Sequence, residues 1–243
     1  MATKGKEWMK TRSDVFDFFT ARNLFKLSSD GHFNDPDSIS PVKIGKESNV
    51  FLAKKGDDKV ILKIYRLETC DFNRMYDYIR FDPRYYNLKR NRRHVILTWV
   101  QKEFRNLHLA RDAGVRVPTP YVYLNNILVM EFIGDELPAR QLKDLYPKNP
   151  EAFAKKLIYE VKKLYKAGLI HGDLSSFNIL NFNEEPVLID FSQTTTLENT
   201  NAKDYLKRDI QNVVAFFKKC DLFLNEEKLW KEITGKKSGR AYL

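Results

Sequence analysis

Apolar and polar residues alternate on both sides of a polar core at Val42-Lys43-Ile44-Gly45-Lys46-Glu47-Ser48-Asn49-Val50-Phe51-Leu52, a pattern that predicts strand, turn, strand. A second polar turn at Lys55-Gly56-Asp57-Asp58 leads into residues 60–65. There Val60, Leu62 and Ile64 share one face, and Ile61, Lys63 and Tyr65 the other. Between 95 and 112 the period lengthens to that of a helix, with Trp99, Glu103, Leu107 and Ala110 on one face and Gly114 and Pro118 as stop signals. Residues 121–124 and 127–132 read as a hairpin about Asn125-Asn126, and Gly134 breaks the second strand. Further helices are predicted over 153–167, on Phe153, Leu157, Val161, Leu164 and Tyr165, and over 204–219, on Leu206, Ile210, Val213, Val214 and Phe217. No internal repeat interrupts this order.

Two stretches lack such periodicity. Residues 1–40 read as a short helix and a linker packing against the main body at 41–243; Ser13-Asp14 is the expected N-cap, and Val15, Phe16 and Phe19 the apolar face. The Ser, Asp, Gly and Pro of 27–40 mark a loop. Residues 66–93 read as a long, mobile insertion. It sets Arg74, Arg80, Arg84, Lys89, Arg90, Arg92 and Arg93 among Tyr76, Tyr78, Tyr85 and Tyr86, with no acidic residue from Pro83 to His94. Cations interleaved with aromatic rings suit phosphate contacts and base stacking, although a solvated charge run has the same composition.

Composition narrows the class. A chain of 243 residues with 43% hydrophobic and 13% aromatic residues can bury a real core, as one large domain or two small lobes. No apolar run approaches the roughly 20 residues needed to span a bilayer, and the N-terminal stretch MATKGKEWMKTRSD lacks the apolar core of a signal peptide. Cys70 and Cys220 are far apart and without metal-ligand spacing, so a reducing, cytoplasmic setting is expected. A net charge of +10 points to an anionic partner. Lys236, Lys237 and Arg240 read as a solvated tail.

Chemistry enters through residues that are out of place. Lys63 is a cation in an otherwise apolar strand, and Glu103 a carboxylate in the middle of an apolar helical stripe, where an unpaired charge costs several kcal/mol. Each explains the other if they pair. Farther on, IHGDLSSFNI at 170–179 offers Asp173 and, five residues later, Asn178; LIDF at 188–191 adds Asp190. These sparse oxygen donors suit Mg²⁺, which keeps several waters and phosphate oxygens as ligands. One carboxylate remains to handle a proton, so the set points to phosphoryl transfer. His171 reads as a brace for its loop, and Asp209 as either an anchor beneath that loop or an exposed charge.

The order of these parts resembles the protein-kinase set, with departures: IGKESNVF in place of a glycine-rich loop, HGD for HRD, Asp190-Phe191-Ser192 for DFG, and no APE motif. With those departures, GKESNVF, LKIY, QKEFRNL, AGVRVPTP, LVMEFIG, HGDLSSFNIL and LIDFSQ resemble the signatures of the RIO family of atypical kinases, over about 39–219. Too few residues precede them for a winged helix, which points to the first RIO subfamily. The resemblance implies a two-lobed α+β protein-kinase-like fold with a reduced helical C-lobe that lacks the usual activation-loop and substrate-lobe elements. The N-lobe is expected at about 41–130, the hinge at 131–134 and the C-lobe at 135–243.

The resemblance also implies roles. Lys46, Glu47, Ser48 and Asn49 cover the phosphates of ATP, with Gly45 giving that loop backbone freedom, and Lys63 holds the phosphates while pairing with Glu103. Ile44, Val50 and Met130 line the adenine pocket, and Glu131 and Ile133 offer it hinge backbone groups. Asp173 is the catalytic base or orients the nucleophile, while Asn178 and Asp190 hold Mg²⁺, with Mn²⁺ as the alternative cation. Asp190 is also implied as an acceptor of the γ-phosphoryl group. The implied activity is serine autophosphorylation with ATP hydrolysis. The implied setting is maturation of the small ribosomal subunit, through contacts of the basic 74–93 insertion with ribosomal RNA and protein. A phosphotransferase of the aminoglycoside-kinase or KEOPS type, and a nucleotide-binding pseudokinase scaffold, are the rival readings.

Overall fold

The computed structural model describes residues 16–235. The cap expected at Ser13-Asp14 with Val15, and the tail at Lys236, Lys237 and Arg240, lie outside them. The chain divides into two compact units. The first takes the chain through Tyr76, with Lys89–Phe104 and Thr119–Phe132; the second takes Asp77–Leu88, Arg105–Pro118 and the chain from Ile133 onward. One crossing thus falls at Phe132/Ile133. Segments 77–88 and 105–118 join the second unit, which a contiguous cut after residue 130 does not anticipate.

The first unit is built on a five-stranded antiparallel sheet, β1 (Ser40–Ile44), β2 (Ser48–Lys55), β3 (Asp58–Tyr65), β4 (Pro120–Leu124) and β5 (Ile127–Glu131), in the order β1-β2-β3-β5-β4. The two faces of β3 were legible in its alternation. Val60, Leu62 and Ile64 join Phe51, Ala53, Ile127 and Val129 in one apolar cluster. Helix α1 (Phe18–Ser29) closes that face with Ala21, Leu24 and Leu27. Its N-cap is Asp17, whose carboxylate accepts from the Thr20 N–H at 2.9 Å. The helix runs three residues into the predicted loop, because Leu27 extends the stripe of Ala21 and Leu24 and its burial outweighs the weak helix preference of Ser28 and Ser29. A polar lock fixes its docking: Asn126 Nδ2 donates to Thr20 Oγ1 at 2.8 Å and Asn23 Nδ2 to Asn126 Oδ1 at 3.1 Å.

The 66–93 segment departs from the mobile insertion expected of it. It folds into α2 (Phe72–Arg80) and a 3-10 turn at Pro83–Tyr85, with Cys70, Met75 and Ile79 buried. Arg92 is one reason. Its guanidinium donates to the carbonyl oxygens of Leu67, Glu68 and Cys70, tying down the chain that leaves β3. Helix α3 (Arg92–Asp112) follows and carries Glu103.

In the second unit α4 (Pro150–Lys166), α5 (Ala202–Lys218) and α6 (Glu226–Thr234) bury Phe153, Leu157, Leu164, Leu206, Ile210, Phe217 and Leu229. Asn149 caps α4, accepting from the Ala152 N–H at 3.0 Å, with Pro150 at the first helical position. Short strands flank the helices. β6 (Arg140–Gln141), β8 (Ile179–Phe182) and β9 (Glu185–Leu188) form one sheet in the order β6-β8-β9; β7 (Leu169–Ile170) pairs with β10 (Thr195–Thr196).

Candidate active site

In the first unit, β3 lies between β2 and β5, so Lys63 is not an edge-strand lysine. It is 5% exposed, and its Nζ stands 2.7 Å from Oε1 of Glu103, itself 1% exposed. The Tyr65 hydroxyl donates to the other oxygen of Glu103, and the Lys63 ammonium lies 5.1 Å from the Tyr65 ring centroid. A buried carboxylate engaged on both oxygens meets the condition under which such a charge is tolerated. Across β2, Lys63 is registered opposite Val50.

The β1–β2 turn holds Gly45, Lys46 and Glu47, and Ser48 and Asn49 open β2. Asn49 Oδ1 accepts from the Gly45 N–H at 3.3 Å, and the Glu47 carbonyl accepts from the Arg66 N–H at 3.0 Å. Gly45 is needed here for close approach and not for backbone freedom: a Cβ at this position would sit 2.8 Å from the Ser48 carbonyl oxygen. Ile44 is exposed, while Val50 and Met130 are half-buried. Glu131 uses its backbone N–H on the Thr119 carbonyl at 2.8 Å, and its carboxylate accepts from Thr119 Oγ1 at 2.7 Å.

In the second unit, Asp173 and Asn178 belong to the loop after β7. Asn178 Nδ2 donates to the Asp173 carbonyl at 2.8 Å and to its Oδ2 at 3.1 Å. Asp190 is brought to the same place by the β8–β9 hairpin. Ile179 pairs with Leu188 at its open end, and the Ile189 N–H donates to the Asn178 carbonyl at 3.0 Å. The backbone at Asp190 is left-handed, with φ of 62°, and Ser192 Oγ donates to its Oδ1 at 2.7 Å. Aspartate tolerates that conformation better than most side chains. With Asn178 Nδ2 engaged by Asp173, the asparagine presents Oδ1, a hard donor like the Asp190 carboxylate. This donor set fits Mg²⁺.

The loop is anchored from below by α5. Asp209, 2% exposed, accepts from the Gly172 and Leu174 N–H groups at 2.8 Å each, while Asn212 Nδ2 donates to the Leu174 carbonyl at 2.9 Å. Arg208 donates to the Gly172 carbonyl. Gly172 has φ of +80°, and a Cβ there would stand 3.0 Å from the Gln193 carbonyl oxygen, which explains HGD in place of HRD. His171 braces the loop as expected: Nδ1 accepts from the Asp173 N–H at 3.3 Å, so Nε2 carries the proton and donates to the Ile189 carbonyl at 3.1 Å.

Burial pushes the Asp209 carboxyl up to about 7, against the Gly172 and Leu174 N–H groups and Arg208, which pull it down. A folded value above the ordinary 3.8 means that the contribution of Asp209 to stability is complete at low pH and is lost as pH rises through 7. The urea-unfolding free energy of the wild type relative to Asp209→Asn is therefore expected to fall between about pH 4 and about pH 7.5. Parallel pH profiles for the two proteins would refute this.

A buried lysine–glutamate pair on a five-stranded sheet, with an Asp…Asn…Asp set in a helical unit, defines the protein-kinase-like class. The RIO domain family model matches residues 49–229. The chain is 39% identical over 239 residues to the RIO-type serine/threonine-protein kinase Rio1 of Haloferax volcanii, covering 97% of this chain and 81% of that protein. It is 42% identical over 232 residues to Rio1 of Methanocaldococcus jannaschii, covering 95% and 79%. Among solved structures, the ADP/Mg²⁺-phosphoaspartate complex of the Rio2 kinase from Chaetomium thermophilum has the same fold, with a TM-score of 0.67 at 22% identity over 89% of this chain and 67% of that one. The chain belongs to the RIO family and is a protein kinase.

Proposed function

We propose that the chain is an ATP- and Mg²⁺-dependent serine kinase and ATPase that phosphorylates itself, belongs to the first RIO subfamily, and serves maturation of the small ribosomal subunit in the cytoplasm. The observation that carries the catalytic part is the Asn178 amide bound to both the backbone and the carboxylate of Asp173. In this reading that bond orients a proton acceptor and leaves the amide oxygen of Asn178 for the cation that Asp190 would hold. Similarity to two proteins named Rio1, at 39% and 42% identity, supports the subfamily.

In this reading Lys46, Glu47, Ser48 and Asn49 cover the phosphates, and Lys63, fixed by Glu103, neutralises them. Ile44, Val50 and Met130 contact the adenine, with the Glu131 carbonyl and the Ile133 N–H as its hinge partners. Asn178 and Asp190 hold Mg²⁺, which supplies charge neutralisation on the transferring phosphoryl group. Asp173 takes the proton of the attacking hydroxyl when serine is the acceptor. When Asp190 is the acceptor, its oxygen attacks the γ-phosphorus, the bond to the bridging oxygen breaks, and ADP leaves with that electron pair. Water then attacks the acyl phosphate and releases inorganic phosphate and the carboxylate. Hydroxylamine separates the two products: label that it removes from the protein is aspartyl-phosphate, and label that survives is phosphoserine. Absence of both from the wild type incubated with ATP and Mg²⁺ would overturn the reading.

Gly45→Ala is expected to weaken ATP binding roughly tenfold, equivalent to about 1.4 kcal/mol, because the added methyl displaces the Ser48 carbonyl. Calorimetric titration with ATP checks it; unchanged affinity would remove the β1–β2 turn from the nucleotide site.

For the ribosomal role the support is the net charge of +10 and the exposed Arg74, Arg80, Lys89, Arg90 and Arg93. Arg84 and Arg92 are engaged by hydrogen bonds within the chain. The triple exchange of Lys89, Arg90 and Arg93 to Gln should therefore flatten the log–log salt dependence of binding to small-subunit RNA by roughly 2 to 3 units. An unchanged slope would detach RNA binding from this segment.

A further inference from the structure

The backbone beyond Asp190 is gripped by polar side chains remote from it in sequence. Asn106, fully buried on α3, donates through Nδ2 to the carbonyl oxygens of Phe191 at 2.9 Å and Thr194 at 2.8 Å. Its Oδ1 accepts from Arg84 Nη1 at 2.9 Å. Arg84 forks onto Asp82, with Nε to Oδ1 at 2.9 Å and Nη2 to Oδ2 at 2.7 Å, and Nη2 also lies 3.4 Å from the Thr194 carbonyl. Asp82 is 0% exposed and accepts from Thr195 Oγ1 at 3.2 Å. Thr194 Oγ1 in turn donates to the His171 carbonyl at 3.1 Å.

Stability alone is a weak reason for this arrangement. Desolvating an ion pair costs about as much as the pairing returns, and apolar residues of like volume commonly do as well. Fixed geometry is what such a network supplies. Its donors converge on the carbonyls that follow Asp190, whose left-handed backbone is a state that persists where surrounding contacts over-determine it. The forked Arg84–Asp82 pair orients the Asn106 amide, so that its nitrogen faces the loop and its oxygen faces the guanidinium.

We propose that Asp82, Arg84 and Asn106 are positioning residues for Asp190, holding its carboxylate in the orientation that takes the metal. The proposal rests on the reading of Asp190 as a metal-holding residue. It gives the 77–88 segment a role inside the protein, separate from any RNA contact made by the exposed cations nearby.

The test uses the full chain and compares wild type, Asn106→Ala, Arg84→Lys and Asp190→Asn. ATP affinity is measured calorimetrically without Mg²⁺ and across a Mg²⁺ titration, beside urea unfolding. Asn106→Ala and Arg84→Lys are expected to raise the Mg²⁺ concentration for half-maximal enhancement about 10- to 100-fold, with metal-free ATP affinity preserved. Asp190→Asn is expected to abolish the enhancement. If the Asn106 and Arg84 variants keep the wild-type Mg²⁺ midpoint and lose only stability, the network merely supports the fold and the proposal falls. If Asp190→Asn keeps that midpoint, the reading of Asp190 falls, and the proposal with it. Should Asn106→Ala fail to fold, Thr195→Val, which removes the hydroxyl on Asp82 while keeping the side-chain shape, takes its place beside Arg84→Lys.

Discussion

Exchanging Asp173 for Asn is expected to lower phosphate incorporation about 10²- to 10⁴-fold, the range for loss of a positioned proton acceptor, if Asp173 is the base proposed above. The substitution is close to isosteric, and the new amide oxygen can still accept from Asn178 Nδ2, as Oδ2 of Asp173 does at 3.1 Å. The loop anchors on Asp209 use the Gly172 and Leu174 N–H groups and are untouched. Loss of rate with an unchanged unfolding curve therefore isolates the proton. Activity is not expected to vanish, because positioning and electrostatic stabilisation of the phosphoryl group would survive the exchange. Initial rates with labelled ATP decide the matter: a variant within twofold of wild type would show that Asp173 accepts no proton in the rate-limiting step.

The largest loss of stability is expected from Glu103→Ala. Removing one partner of a buried ion pair costs about 3–5 kcal/mol, because the remaining charge keeps its desolvation penalty. Here the change strips Lys63 of a bond at 2.7 Å and the Tyr65 hydroxyl of its acceptor. Lys63→Met is expected to cost less, since Glu103 keeps the Tyr65 bond and can bind a proton. The double variant Lys63→Met/Glu103→Leu should be more stable than Glu103→Ala alone, because no charge is left behind. Urea unfolding of the three proteins checks the order; a cost below about 1 kcal/mol for Glu103→Ala would mean that the pair behaves like a surface ion pair.

Much of this was legible in the chain. The sequence alone matches Lys63 with Glu103, because each is the one charge in an apolar stripe. The same alternation gave β2, β3 and the hairpin of β4 and β5. Other features left no local trace. The β8–β9 hairpin turns through Asn183 and Glu184 with φ of 54° and 63°, and a glutamate in the left-handed region is not a turn signal that sequence offers. Strands of two residues, such as β6, β7 and β10, are too short to show a period. In sequence Arg84 groups with its basic neighbours, whereas its partners Asn106 and Thr194 lie 22 and 110 positions away and carry no pattern that marks them. Asp209 reads in sequence as either anchor or exposed charge, and its two bonds to the Gly172 and Leu174 N–H groups decide for the anchor.

The span of the Arg84 network has a consequence for how the protein is made. Arg84 and Thr194 are 110 residues apart, so at 5–20 residues per second the two are synthesised on the order of ten seconds apart. From its own synthesis until Phe191 is made, Asn106 has neither of the carbonyls it will bind. The sheet of the first unit needs nothing beyond Glu131 and can form early. Segment 77–88, although it emerges before two of the five strands of that sheet, must wait for the last quarter of the chain. Nascent protein stalled before residue 194 is thus expected to expose this segment to proteases and chaperones while the sheet of the first unit is already protected.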